Sequence, residues 1–204
     1  MINRPNNWND VQEMTERQKL PLGAYVCRVK KTAIQSNAYG DQLCILFDII
    51  EGDHKGYYAA EYAANQNQDK KWKGVLRQWL PLDNGSQQDE WTKSALKGMV
   101  SNFEKSNPGY QWNWDENSLV GKLIGILYRN EEWEYEGKTG WTAKPYRAIS
   151  IDAVRNGDFT LPKDRPLKKD ETSYTAQTYS APTQNYYANT YNANSFEEDD
   201  DMPF

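Results

Sequence analysis

Two stretches, LGAYVCRVKKTAI (residues 22–34) and QLCILFDII (42–50), decide the fold. Both are dense in β-branched and aromatic side chains, and between them QSNAYGD (35–41) supplies the Asn, Gly and Asp of a turn. They predict a first β-hairpin and hence a β-rich domain. The two cysteines, Cys27 and Cys44, sit inside these runs without C-x-x-C spacing, and read as small buried thiols in the reduced state.

Working outward, GYYAAEYAA (56–64) reads as a third, weaker strand after the EGDHKG break. In KKWKGVLRQWL (70–80), Trp72, Val75, Leu76 and Trp79 share a helical face, which predicts a short helix. A second helix is predicted over 90–106, where Trp91, Ala95, Leu96, Met99, Val100 and Phe103 recur at helical spacing before the stop at Asn107-Pro108-Gly109. Trp79 and Trp91 are read as core residues, and Trp112 and Trp114 as structural. Strands return over 118–130 and 141–154, joined through EEWEYEG and a turn at 137–140. Three strands, a helical insertion and further strands match a five-stranded OB-fold-like barrel with its helix between strands 3 and 4. The barrel domain is expected to span 1–164.

From Arg165 the composition changes to Thr, Asn, Ser, Gln and Tyr with few aliphatic residues. Such a segment buries too little apolar surface to offset ordering entropy, so 165–196 is read as a disordered low-complexity linker. As a flexible coil it would span roughly 30 Å on average and at most about 110 Å if pulled straight. Mean hydropathy is -0.96, in keeping with a chain of which part lies outside a core. The chain closes on Glu197-Glu198-Asp199-Asp200-Asp201-Met202-Pro203-Phe204, an acidic run next to an apolar end. Its five carboxylates account for the whole net charge of -5, so the rest of the protein is neutral on balance. A neutral body can carry a basic face for an anionic ligand.

Catalysis has little to build on. There is one histidine, His54, and there is no paired-cysteine site, Walker loop or serine elbow, so a non-enzyme without metal or cofactor is expected. Aromatic and basic residues do interleave in the predicted strands. Cations neutralise phosphates and flat rings stack on bases at about 1–3 kcal/mol each, which suits unspecific binding of a single nucleic-acid strand. Arg28, Lys30, Lys31, Lys144 and Arg147 are the expected phosphate contacts; Tyr39, Tyr58, Trp133 and Trp141 are the expected stacking rings. At the terminus, Pro203 pre-sets the backbone, and Phe204 joins an apolar ring to a carboxylate. A pocket edged by arginine or lysine could hold both.

The ending Asp199-Asp200-Asp201-Met202-Pro203-Phe204 resembles the acidic tip of bacterial single-stranded DNA-binding proteins, which typically finish Asp-Asp-Asp-Ile-Pro-Phe behind a long linker. Met202 is a conservative departure. The body, through GAYVCRVKKTAI (23–34), ILFDIIEGDHKGYY (45–58) and SLVGKLIGILYRNEEW (118–133), is similar to the diverged bacteriophage members. The resemblance implies an OB fold holding single-stranded DNA in phage replication, recombination or repair. It also implies a tip, residues 199–204, that recruits partner proteins and competes with DNA for the cleft. The expected setting is the cytoplasm of a bacterial host, without a membrane, since no apolar run of spanning length occurs. Self-association is left open. The rival expectations are a protein-interaction adaptor that binds no DNA, a strand-annealing recombinase and a carboxylate-dependent nuclease.

Overall fold

A computed structural model describes residues 3–6, 8–9 and 19–167; the tip 197–204 and nearly all of the 165–196 linker lie outside the described residues. The described chain runs β1 (Ala24–Asn37), β2 (Gly40–Ile49), α1 (Tyr57–Ala64), β3 (Val75–Trp79), α2 (Gln87–Ser106), a short 3-10 turn (Glu116–Leu119), β4 (Leu123–Tyr135), β5 (Lys138–Ile149) and α3 (Ile151–Asn156). The five strands form one antiparallel sheet in the order β3-β2-β1-β4-β5.

The sheet is not closed into a barrel, which corrects that expectation. It curls until β3 and β5 approach each other, but no hydrogen-bonded ladder joins them among the described residues. The helix between strands 3 and 4 is present as α2. The assignments before it are exchanged: 56–64, expected as a strand, holds α1, and 70–80, expected as a helix, holds β3. Alanine-rich GYYAAEYAA starts its helix behind Gly56, whose left-handed backbone (φ 75°) redirects the chain. In 70–80 the edge of β2 overrides the helical spacing, pairing Val75–Trp79 with Gln42–Leu46.

β1 bends midway because of a bulge. Val29 faces Phe47 but Lys31 faces Leu46, so one extra residue, Lys30, is inserted opposite β2. Before the bulge β1 pairs with both neighbours, and Cys27 and Val29 point into the core; after it Thr32 takes the inward place. The core is filled by Cys27, Val29, Leu43, Ile45, Phe47, Ile124, Ile126 and Tyr128 from the sheet, and closed by Leu96, Met99 and Phe103 of α2. Their i, i+3, i+7 spacing is the apolar stripe read from the sequence. Trp91, expected on this face, is 61% exposed because it lies off the buried stripe of Asp89, Leu96, Met99, Phe103 and Ser106.

Polar side chains fasten α2 in place. Ser86 caps its start by accepting from the Asp89 N–H at 3.2 Å. Near its other end Asn107 donates to the carbonyls of Phe103 and Leu123 and accepts from the Leu123 N–H at 2.9 Å. Asn102 donates to the Ala148 carbonyl, and Ser106 accepts from the Ile151 N–H. On the opposite face of the sheet α3 crosses β4 at Gly125, where a Cβ would lie 2.5 Å from a Val154 methyl. Among the described residues, no helix is long and apolar enough to cross a membrane.

Candidate nucleic-acid interface

The bulge in β1 sets up the basic face. In a regular strand Lys30 and Lys31 would point to opposite sides. With Lys30 inserted, Arg28 sits opposite Asp48 and Lys31 opposite Leu46, both on the face away from the core. All three cations are exposed along that outer face.

Next to them lies a groove of about 480 Å³. One wall is Lys30, Lys31 and Leu46, and the other is made by Ala59 and Tyr62 of α1 with Lys70, Lys71 and Trp72 of the segment leading into β3. Among the described residues, four lysines and two rings line it. The rings are fixed in place: the Trp72 indole N–H donates to the Phe47 carbonyl at 2.9 Å, and its ring centroid is 5.7 Å from that of Tyr62. The Lys70 ammonium stands 4.6 Å over the Tyr62 ring. Gly74 permits this approach, since a Cβ there would come within 2.5 Å of the Phe47 carbonyl oxygen and 2.6 Å of the Tyr58 ring.

Tyr58 itself is not at the surface. It is 5% exposed, packs edge-on against Phe47, and shares a 2.7 Å hydrogen bond between its hydroxyl and that of Tyr128. Burial raises both phenols above their ordinary range. A ring held there cannot stack on a base, so Tyr58 leaves the candidate set and counts as core.

The other expected residues lie apart from the groove. Tyr39 is 58% exposed at the β1–β2 turn, where its N–H bonds to the Asn37 side chain. Trp133 (38% exposed) and Trp141 (42%) are on the β4–β5 hairpin, which turns at Glu136-Gly137 through two positive φ values, 48° and 74°. The turn thus lies one residue before the expected 137–140. Trp133 is opposite Gly140 and Trp141 opposite Glu132, so the two indoles occupy opposite faces of the hairpin. The Trp133 ring lies against Gly140, where a Cβ would be 2.7 Å from it. Lys144 is drawn 3.6 Å from Glu131, which also holds Arg129 and Arg165. Burial pushes the Glu131 carboxyl up, but these cations more than offset it and leave its pKa below the usual value. Arg147 is exposed beside the β5 bulge.

The expected residues therefore divide into two surfaces: Arg28, Lys30 and Lys31 on the outer face of β1, and Trp133, Trp141 and Lys144 on the hairpin. The sequence reading omitted Tyr62, Lys70, Lys71 and Trp72. Among the described residues no group of three or more His, Cys, Asp or Glu is placed to hold a metal ion. Trp114, read as structural, is 79% exposed with a left-handed backbone (φ 66°). The start of the linker is held: the Arg165 N–H donates to the Asn130 carbonyl and the Glu132 N–H to the Arg165 carbonyl, each at 2.9 Å.

No protein-family model matches the chain, and no curated protein matches it in sequence.

Proposed function

We propose that this protein binds single-stranded DNA without strong sequence preference and has no catalytic role. The observation that carries the reading is the groove, in which four lysines and two fixed rings come together. A polyanion with exposed π-faces satisfies both kinds of group at once. The strand order supports it: β3-β2-β1-β4-β5 with a helix between β3 and β4 is the arrangement of an OB barrel opened between its third and fifth strands. Arg28, exposed on the same outer face of β1, extends the same reading.

The acidic end completes the proposal. Residues 199–204, on a tether of about 30 residues, act as a docking peptide for replication, recombination or repair proteins of a phage-infected bacterial cell. Carboxylates of the tip and phosphates of DNA compete for the same lysines, at roughly millimolar effective concentration of the tip. Titrating the full chain and a 1–196 truncation with oligo(dT) and with duplex DNA, at two salt concentrations, tests both parts. Quenching of tryptophan emission by oligo(dT) but not duplex supports the interface. Tighter binding by the truncation, most visible at low salt, supports the competing tip. No response to either nucleic acid refutes the reading and leaves the adaptor.

A further inference from the structure

Building on the single-strand reading, we propose that the DNA strand runs through the lysine groove and on along the outer row of β3. In this path Trp72 and Trp79 are the base platforms, and Arg77 is the phosphate contact between them. The register defines the path. Val75, Arg77 and Trp79 pair with Leu46, Cys44 and Gln42, while Leu76 alternates into the core, so these three share the outer face with Lys31. Positions two apart on a strand are separated by about 7 Å, close to the length of one stretched nucleotide. Arg77 is exposed, and its neighbour on the sheet is the buried Cys44 thiol, which burial raises and Arg77 lowers. A guanidinium carries five N–H donors, more than one thiol neighbour occupies. Trp79 is half-buried and Trp72 is held by its bond to Phe47, so neither ring loses much freedom on binding. β3 is also a sheet edge, with no ladder on its far side among the described residues.

Electrostatics favours this path over the β4–β5 hairpin. Between Arg129 and Lys144 there are four carboxylates against three cations, and the two indoles there face opposite ways, so one strand cannot engage both. Four lysines line the groove, and its two rings sit beside them.

The experiment measures anisotropy of labelled oligo(dT) with full-length Arg77→Ala, Lys30→Ala/Lys70→Ala, Trp133→Ala and Trp141→Ala proteins across a salt series. Each phosphate contact contributes about 0.7 to the slope of log K against log salt. Arg77→Ala is expected to flatten the slope by about 0.7 and the lysine pair by about 1.4, each weakening binding about ten-fold at low salt. The hairpin variants bind like the parent. Trp72→Phe and Trp79→Phe each remove a share of the oligo(dT)-induced quenching, while Trp133→Phe does not. Unchanged affinity and slope in the first two variants, with loss in a hairpin variant, overturns the path and leaves single-strand binding intact. Failure of the parent protein to bind oligo(dT) overturns the function and the path together.

Discussion

The hydroxyls of Tyr58 and Tyr128 give the sharpest test of the packing that holds the groove open. They lie 2.7 Å apart in residues 5% and 0% exposed, and each supplies the hydrogen bond of the other. Replacing either tyrosine by phenylalanine keeps the ring and strands the remaining hydroxyl. Stranding a buried polar group costs about 1–3 kcal/mol, whereas removing both partners is nearly neutral. Tyr58→Phe and Tyr128→Phe should each lose about 1–3 kcal/mol, and the double variant should be nearly neutral, short of the sum by about 2–6 kcal/mol. At about 2–4 °C per kcal/mol for a chain of this size, each single change lowers Tm measurably. Urea unfolding followed by tryptophan emission gives the three free energies. Strict additivity would show that the hydroxyls do not depend on each other, and would undo the claim that Tyr58 belongs to the core.

Three further outcomes follow from named contacts. Tyr25, Tyr58 and Tyr128 all have raised pKa values, mainly through burial, so the unfolded chain releases their protons first as pH rises above about 10. Stability is therefore complete below about pH 10 and falls above it, by up to about 1.4 kcal/mol per pH unit for each phenol; a flat alkaline limb in pH-dependent unfolding would contradict this. Gly74→Ala forces a methyl against the Phe47 carbonyl and the Tyr58 ring and should cost about 1–3 kcal/mol in chemical unfolding, with the clash on backbone leaving little room for relief. Gly140→Ala should lift the Trp133 ring from the hairpin, seen as stronger acrylamide quenching, while oligo(dT) affinity stays unchanged; weakened binding would bring the hairpin back as an interface.

Much of the sheet was legible because its signal is local. The β1–β2 runs carry enough β-branched residues to be read directly, and Leu96, Met99 and Phe103 fall on one helical stripe that closes the core. Residues 56–80 misled because two propensities conflicted with context. Tyr57, Tyr58 and Tyr62 suggested a strand, but four alanines and the left-handed Gly56 favour a helix. Trp72, Val75, Leu76 and Trp79 have helical spacing, yet the free edge of β2 takes Val75–Trp79 into the sheet and puts Leu76 alone into the core. A five-residue edge strand carries too few alternations to outweigh that spacing. The missing β3–β5 ladder depends on how far the sheet curls, which no single segment encodes.

The candidate interface was less legible than the fold, for a reason that lies in β1. Lys30 and Lys31 are neighbours, and alternation along a strand would send one of them inward or to a far side. The inserted residue at Lys30 shifts the register, so that Thr32 turns to the core and Lys31 takes its place opposite Leu46. One bulge thus brings two lysines to one groove. The other wall comes from residues 59–72, placed by Gly56, by Gly74 and by the Trp72 bond to Phe47. None of these is a charge or stacking signal by itself. Counting rings and cations along the chain favoured the hairpin, where they are densest. Its own carboxylates cancel them, and alternation separates the two tryptophans. What favours the groove as the candidate is the gathering of four lysines and two rings, which exists only once the bulge and the two glycines have set the geometry.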